Sequence, residues 1–131
     1  MTSQFTASVR VPASERSARE GAAMAVAVID LDGQLDGAAE AQMEQVYTDA
    51  IGDGIAAMVL DFGRVTYINS TGIALLVGLL ARARTDDVEV GVCGLSDHYR
   101  HIFEITRLAD FLTFFDDESA ALAATPTPLN R

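Results

Sequence analysis

The chain has 131 residues, half of them hydrophobic, which suffices for one domain with its own core and without disulfides or metals. Its formal net charge of −10 argues against nucleic acid or anionic membrane as a direct partner, because both would repel it. No secretion signal is visible, the longest apolar run is far shorter than the roughly 20 residues that span a bilayer, and the single Cys93 fits a reducing compartment, so we expect a cytoplasmic protein. We further expect a monomer or weak dimer.

From the N-terminus onward, the first predicted element is an edge strand over Gln4–Val11, where apolar and polar residues alternate. Residues 12–22 are polar and turn-rich and are predicted as a long mobile loop. The apolar, β-branched run Ala23–Leu31 is typical of a strand buried on both faces. This strand is predicted to stop at the polar segment Asp32–Asp36.

The middle of the chain predicts a helix, a strand and a second helix. Asp36 is predicted to cap a helix over Gly37–Ile51, whose apolar residues recur at spacings of three and four. Ile55–Phe62 is predicted as a buried strand, and residues 63–68 as a short connection. A hydrophobic helical run then extends from Ser70 to about Arg84.

The remaining elements complete a β-β-α-β-α-β-α-β-α order, which predicts an α/β domain with a mixed, mostly parallel sheet of about five strands covered by about four helices. The domain is predicted to occupy residues 1–131, with its core over residues 4–124 and a frayed tail over 125–131. The last predicted elements are a turn at Asp86-Asp87, a strand over Val88–Cys93, a helix capped by Ser96 or Asp97 and ending near Thr106, a tight turn over Leu108–Phe111, a strand over Leu112–Phe115 and a helix over Glu118–Ala124.

Two hydroxyls stand where the second helix begins, in the run Asn69-Ser70-Thr71-Gly72. Unpaired backbone N–H groups and the positive end of the helix dipole favour an anion at such a position. From its position alone, Ser70 has two interpretations, a helix N-cap or a phosphorylation site. Thr71 is the poorer phosphoacceptor, and Gly72 either allows a partner to approach closely or is only a small residue at a tight helix start.

Three passages resemble the STAS domain family, in particular the small bacterial anti-sigma factor antagonists. Gly33-Gln34-Leu35-Asp36 is similar to the family's Gly-Glu-Leu-Asp turn. The segment from Leu60 to Ile73 is similar to its central strand and the Asp-Ser-(Ser/Thr)-Gly-Leu signature that follows. Phe103–Leu108 resembles the Phe-Glu-Leu-Thr-Gly-Leu segment. The resemblance covers residues 4–124 and implies a STAS-like (SpoIIAA-like) fold.

By this resemblance, the phosphoacceptor is Ser70, with Thr71 as the weaker candidate. In the family, a partner anti-sigma factor with serine kinase activity phosphorylates the antagonist. The unphosphorylated antagonist binds that kinase and frees a sigma factor, and a serine phosphatase restores the antagonist. The chain itself would then be no enzyme and would need no cofactor, because the partner kinase binds the ATP.

Three positions depart from the family pattern. Asn69 stands where the family usually has Asp, Gln34 replaces a Glu, and Arg107 replaces a Gly that commonly provides a left-handed helix cap. Since Asn caps a helix about as well as Asp does, the fold should tolerate Asn69, whereas a kinase that reads the carboxylate is sensitive to it. Arg107 is expected to cost up to about 1 kcal/mol if the left-handed backbone is kept.

The surface around Ser70 is the expected partner-binding site. Asp36 either contacts a kinase or only caps its helix. Leu75 and Leu79 either form an apolar patch for a partner or belong to the core. The predicted partner-binding residues are Asp36, Asn69, Ser70, Thr71, Gly72, Leu75 and Leu79.

Two other functions are open. One is a STAS module that is never phosphorylated and acts as an interaction subunit of a sensory or lipid-transport assembly. The other is an enzyme with Ser70 as nucleophile, for which no base is expected, because neither His98 nor His101 falls in a loop beside Ser70. No metal site is expected at these two histidines, since no further Cys, His, Asp or Glu completes a ligand set, and Cys93 is predicted to be a small core residue.

Overall fold

The structure is a computed structural model that describes residues 5–11, 26–52 and 55–124. Five strands form one sheet in this part of the chain. They are β1 (Thr6–Arg10), β2 (Val26–Leu35), β3 (Ala57–Ile68), β4 (Glu89–Cys93) and β5 (Thr113–Phe115).

The same residues form four α-helices and two short 3₁₀ turns, at Gly37–Ala39 and Leu108–Phe111. None of the helices in the described part of the chain has the length and apolar character needed to cross a bilayer. The helices are α1 (Glu40–Ile51), α2 (Ser70–Thr85), α3 (Asp97–Ile105) and α4 (Glu118–Ala124).

The order of strands in the sheet is β1-β2-β3-β4-β5. β1 is an edge strand antiparallel to β2, and every other neighbouring pair is parallel. Each parallel pair is connected through a helix, as parallel pairing requires. The predicted fold class, a mostly parallel five-stranded sheet with four helices and its first strand at an edge, is therefore confirmed.

The predicted ends of the two central strands are wrong. Residues 32–36 and 63–68 were predicted as a stop and a connection, but β2 continues to Leu35 and β3 to Ile68. The two extensions pair with each other from Asp32 opposite Arg64 to Leu35 opposite Ile68, with register shifts after Asp30 and Gly33. Backbone pairing across the sheet therefore overrides the turn-like composition of both segments.

Other predicted boundaries are close to the structure. The helix predicted from Gly37 begins as a 3₁₀ turn and becomes an α-helix at Glu40. The helix predicted from Ser96 or Asp97 is capped by the Ser96 hydroxyl, which accepts from the Tyr99 N–H at 3.3 Å. The predicted loop over residues 12–22 and the predicted tail over 125–131 lie outside the described residues.

The core has a layer on each face of the sheet. The larger layer packs α1, α2 and α3 against one face, and Phe103 of α3 meets Phe62 of β3 edge to face, with ring centroids 6.0 Å apart. On the other face, Ala121 of α4 packs on Val28, Val59 and Cys93. The central strands are therefore buried on both faces, and Cys93 is a core residue, as predicted.

Arg107 keeps the left-handed backbone that its place in the family motif implies, with φ of 70° just after α3. Its guanidinium donates to Asp110 at 2.8 Å, in a pair whose side chains are both largely exposed. An exposed pair of this kind contributes little, so it only partly offsets the cost of a side chain in this conformation.

Candidate functional site

The turn of residues 69–72, called the Ser70 turn below, lies at the carboxyl ends of β2 and β3. These two strands are parallel neighbours, and their last paired residues are Leu35 and Ile68. The Asn69 N–H donates to the Leu35 carbonyl at 3.2 Å, so the turn is fixed to the end of β2. In open sheets of this kind, ligands bind outside the carboxyl ends of the strands, which makes this edge the candidate site.

Asn69 is the N-cap of α2. Its backbone is extended, and its side-chain oxygen accepts a hydrogen bond from the Gly72 N–H at 2.8 Å. Its carbonyl accepts the first helical hydrogen bond, from Ile73 at 2.9 Å. The interpretation of Ser70 as the N-cap is therefore wrong, because the side chain of Asn69, one residue earlier, caps α2.

Ser70 is the first residue of α2, and its side chain is exposed. Within the described parts of the chain, no hydrogen bond engages its hydroxyl. The first turn of α2 contains no acidic residue, so no carboxylate within that turn compensates the positive end of the helix dipole. The hydroxyl therefore stands in solvent at a position that favours a negative charge.

Thr71 is also exposed and lies beside the loop that follows β2. Its methyl carbon is 3.4 Å from the point that a Cβ on Gly37 would occupy. This proximity places the start of α2 beside the 3₁₀ turn. Both Ser70 and Thr71 are exposed, so the ranking of Thr71 as the poorer phosphoacceptor stays a prediction.

Gly72 is buried, and its close neighbour is this chain's own backbone. A Cβ there would lie 2.1 Å from the Leu35 carbonyl oxygen, which is far inside contact distance. The absence of a side chain at position 72 is thus needed for the start of α2 to pack on the end of β2. The small-residue interpretation is correct, and the proposed approach of a partner at Gly72 is not, because its backbone is already covered.

Asp36 follows directly after β2 and lies beside the Ser70 turn. Its carboxylate accepts from the Ala38 N–H at 3.0 Å and caps the 3₁₀ turn rather than α1 itself. The side chain is half-buried, so part of it faces the same edge of the sheet as Ser70. The capping role is therefore confirmed in a modified form, and contact with a partner stays a prediction.

The apolar surface of α2 differs from the one predicted. Leu79 is 5% exposed and belongs to the core, and Leu75 is half-buried against it. Val77 of α2 and Tyr67, near the end of β3, are about half exposed instead, at 50% and 49%. The register of α2 on the sheet decides which apolar residues reach solvent, and sequence reasoning missed both of these.

The start of α3 forms a further wall of the site, which sequence reasoning also missed. The Tyr99 hydroxyl accepts from the Ile68 N–H at 3.1 Å, two residues before Ser70. The His98 ring contacts the Tyr99 ring edge to face, with centroids 4.8 Å apart. The signal available in the sequence was topological: helices that follow neighbouring parallel strands begin at the same edge of the sheet.

The carboxylates that lie closest together are on the opposite face of the sheet. Asp30, Asp61 and Glu118 form the one set of potential metal ligands among the described residues, and neither histidine belongs to it. Arg10 donates to Asp30 at 2.6 Å and to Glu118 at 2.5 Å, so a cation of the protein already occupies this cluster.

The Cys93 thiol is buried close to this cluster. Burial, assisted by the nearby Asp61 charge, raises the pKa of the Cys93 thiol to about 12.

Comparisons with known proteins agree on one family. The model of the STAS domain matches residues 19–121. The anti-sigma-B factor antagonist of Staphylococcus aureus (strain NCTC 8325 / PS 47) is 33% identical over 84 residues, which are 64% of this chain and 78% of that protein.

Solved structures of anti-sigma factor antagonists share the fold. One from Mycobacterium paratuberculosis matches with a TM-score of 0.68 and 19% identity, over 91% of this chain and 93% of its own. The Bacillus cell fate determinant SpoIIAA in its phosphorylated form matches with a TM-score of 0.63 and 20% identity, over 91% of this chain and 100% of its own.

Proposed function

This chain belongs to the STAS domain family, and we propose that it is an anti-sigma factor antagonist switched off by phosphorylation of Ser70. In its unmodified form it binds an anti-sigma factor that is also a serine kinase, and so releases a sigma factor. The kinase binds ATP and transfers its γ-phosphoryl group to the Ser70 hydroxyl with release of ADP, and a serine phosphatase hydrolyses the phosphoserine. The chain itself catalyses no reaction.

The observation that carries this proposal is the division of roles between Asn69 and Ser70. Asn69 satisfies the Gly72 N–H, so the Ser70 hydroxyl is exposed and has no capping duty. A phosphoryl group on Ser70 can therefore be added without loss of a hydrogen bond that the fold needs. The modification adds about −1.5 to −2 charge at the positive end of α2, where it is stabilised.

The effect of the phosphate is on docking rather than on the fold. A dianion at Ser70 adds negative charge to a chain whose net charge is already −10. A partner that packs on this surface would have to desolvate the phosphate, and this cost weakens the complex. The similarity of the fold to SpoIIAA in its phosphorylated form supports a fold that accepts the modification.

The proposed docking surface continues from Ser70 along the open side of α2. Ser70, Ala74 and Val77 are exposed and recur at the three- and four-residue spacing of one helix face. Tyr67 adds a half-exposed ring next to the Ser70 turn. Small and apolar side chains next to Ser70 suit a partner contact that is tight when Ser70 is unmodified and weak when Ser70 carries a phosphate.

The proposal is tested by incubating the chain with ATP and the anti-sigma kinase encoded nearest to its gene. We expect a mass increase of one phosphoryl group, located on Ser70 by peptide mapping. Ser70→Ala should abolish it, whereas Ser119→Ala should not, because Ser119 is also exposed at a helix start but lies on α4. Phosphate on another residue, or none with a kinase that binds the chain, would exclude the proposed switch.

Docking is tested separately, with the same kinase and no ATP. Ser70→Asp and Val77→Asp should each weaken the complex by about tenfold or more, because each places a charge in an apolar contact. Ser119→Asp, the matched control on the other side of the sheet, should bind as the unmodified chain does. A Ser70→Asp chain that binds as tightly as wild type would contradict the docking block.

A second function is favoured by Asn69 itself. The family motif has an acid at this position, and here a neutral amide makes the capping hydrogen bond. A STAS module that is never phosphorylated, acting as an interaction subunit of a sensory or lipid-transport assembly, would need the cap but no carboxylate. Asn69→Asp separates the two functions: a kinase that modifies the Asn69→Asp chain and not the unmutated one supports the interaction module, and equal modification of both chains supports the switch.

A further inference from the structure

A cleft of about 430 Å³ opens at the end of the sheet opposite the Ser70 turn. It lies where β4 and β5 begin, whereas Ser70 follows the end of β3. Core side chains form its floor, and α2 and the 3₁₀ turn before β5 form its walls. This cleft is called the Arg84 cleft below, and its lining includes Leu80, Arg84, Val88, Val90, Phe111 and Leu112.

The cleft exists because β5 is shorter than the strand it pairs with. β5 begins opposite Gly91, so it covers β4 only from Gly91 to Cys93. The chain before β5 turns away as a 3₁₀ helix and leaves Phe111 51% exposed. A volume of this size lies within the range of small-molecule pockets, and polar and apolar atoms contribute equally to its lining surface.

Arg84 places a positive charge at the mouth of the cleft. Its guanidinium lies 5.6 Å from the centre of the Phe111 ring. Arg82, two residues earlier on α2, contrasts with it, because Glu44 binds Arg82 at 2.5 Å and the Tyr47 ring lies under it at 4.4 Å. Arg84 is thus a cation beside an exposed aromatic ring in the lining of the cleft.

Two acidic residues also line the cleft, at its rim. Asp110 is paired with Arg107 at 2.8 Å, which compensates its carboxylate. Glu89 is an exposed residue at the start of β4, and it makes an interaction of its own within the fold. Thr113 adds a hydroxyl to the lining, and Arg84 is the positively charged lining residue, so a ligand with an anionic end would place that end at Arg84 and its apolar part along Val88, Val90 and Leu112.

We propose that the Arg84 cleft binds a small carboxylic acid with an apolar chain or ring. A carboxylate matches the planar, two-pronged guanidinium of Arg84, and the apolar part of the ligand replaces water on the cleft floor. The site does not depend on the proposed function, since it lies at the other end of the strands. The domain would then have a ligand-binding site that is separate from the Ser70 turn.

The probe is sodium octanoate, titrated into the ¹⁵N-labelled full chain and followed through backbone amide shifts. We expect saturable shifts confined to the last turn of α2, the start of β4 and residues 108–113, with the amides of the Ser70 turn unchanged. Arg84→Gln should weaken binding about fivefold or more. Arg82→Gln, which removes a charge from the same helix end but outside the cleft, should leave binding unchanged.

Two comparisons identify what is recognised. 1-Octanol has the same chain without the charge, so Arg84→Gln should weaken the binding of octanoate but leave the binding of 1-octanol nearly unchanged. A tetrapeptide ending in leucine with a free carboxylate, compared with its amidated form, shows whether the acid can also be a chain terminus. The proposal is overturned if octanoate gives no saturable shifts in the low-millimolar range, if the shifts spread over the surface, or if Arg84→Gln binds as tightly as wild type.

Discussion

The first turn of α2 lies so close to the end of β2 that a Cβ on Gly72 would be 2.1 Å from the Leu35 carbonyl oxygen. The neighbouring atom is backbone, so it cannot give way as a flexible side chain would. The close packing of these two backbone segments fixes the position of the Ser70 turn against β2.

Gly72→Ala is therefore expected to lower the free energy of unfolding by about 2 kcal/mol or more, because α2 or β2 must shift to admit the methyl group. Gly78→Ala is the matched control on the same helix, since a Cβ there meets nothing within 4 Å. It should instead raise the free energy of unfolding by about 0.5–1 kcal/mol. Urea unfolding of both variants measures these changes, and equal midpoints for the two would refute the packing argument.

Asn69 and Ser70 should differ sharply in their effect on stability. Asn69→Ala leaves the Gly72 N–H without its partner and should cost about 1 kcal/mol, whereas Ser70→Ala should change stability by less than about 0.5 kcal/mol. Asn69→Asp should be close to neutral, because a carboxylate accepts the same hydrogen bond. Thermal unfolding of the three variants provides the measurement. A Ser70→Ala chain less stable than Asn69→Ala would reverse the assignment of the cap.

Replacement of Arg107 isolates the cost of its left-handed backbone. Arg107→Ala and Arg107→Gly both remove the ion pair with Asp110, but only glycine adopts a φ of 70° without strain. The Gly variant should therefore be more stable than the Ala variant by about 1 kcal/mol. Chemical unfolding of the pair checks this difference, and equal stability would mean that the turn relaxes when Arg107 is removed.

The buried thiol of Cys93 predicts a stability that declines in alkaline solution. Burial and the Asp61 charge raise its pKa in the folded chain from 9.0 to about 12. Above pH 9.0 the unfolded chain therefore binds fewer protons than the folded one, and stability falls as pH rises toward the folded value.

The contribution of Cys93 to the pH dependence of stability is best measured between pH 9.0, the ordinary pKa of Cys, and pH 10.0, the ordinary pKa of Tyr. Tyr47 contributes in the same direction and increasingly toward pH 10.0, because burial and its hydrogen bond to Asp86 raise its pKa too. Within this pH window, the slope for the wild-type chain should exceed the slope for Cys93→Ala by up to one proton, because the Tyr47 contribution is common to both. Unfolding at several pH values measures both slopes, and parallel curves would contradict the burial of the thiol.

Local pattern predicted most of the fold, and its errors have a common physical cause. The apolar runs of β2 and β3 and the helical spacing of α1 are properties of neighbouring residues, so they can be recognised in the sequence. The extensions of β2 to Leu35 and of β3 to Ile68 exist only because the two strands pair with each other. No local preference encodes that pairing, and the glycines in both segments indicate turns instead.

The residues of the candidate site were predicted as a group, but their local roles were predicted less well. The family resemblance grouped Asp36 with Asn69 and Ser70, and the structure has all three residues at one edge of the sheet. Which of Asn69 and Ser70 caps α2 depends on backbone angles within one residue of the helix start. The burial of Leu79, the exposure of Val77 and the contact of Tyr99 with Ile68 arise from how helices sit on the sheet, which pattern alone does not specify.

The strands lie in the sheet in the same sequence as in the chain, from β1 to β5. During synthesis on the ribosome, each emerging strand therefore finds its pairing partner already made. The contact of Arg10 with Glu118 is of another kind, because it joins β1 to α4 across 108 positions. Like the packing of Ala121 on Val28, that ion pair can form only after α4 has been synthesised, so it belongs to the end of assembly.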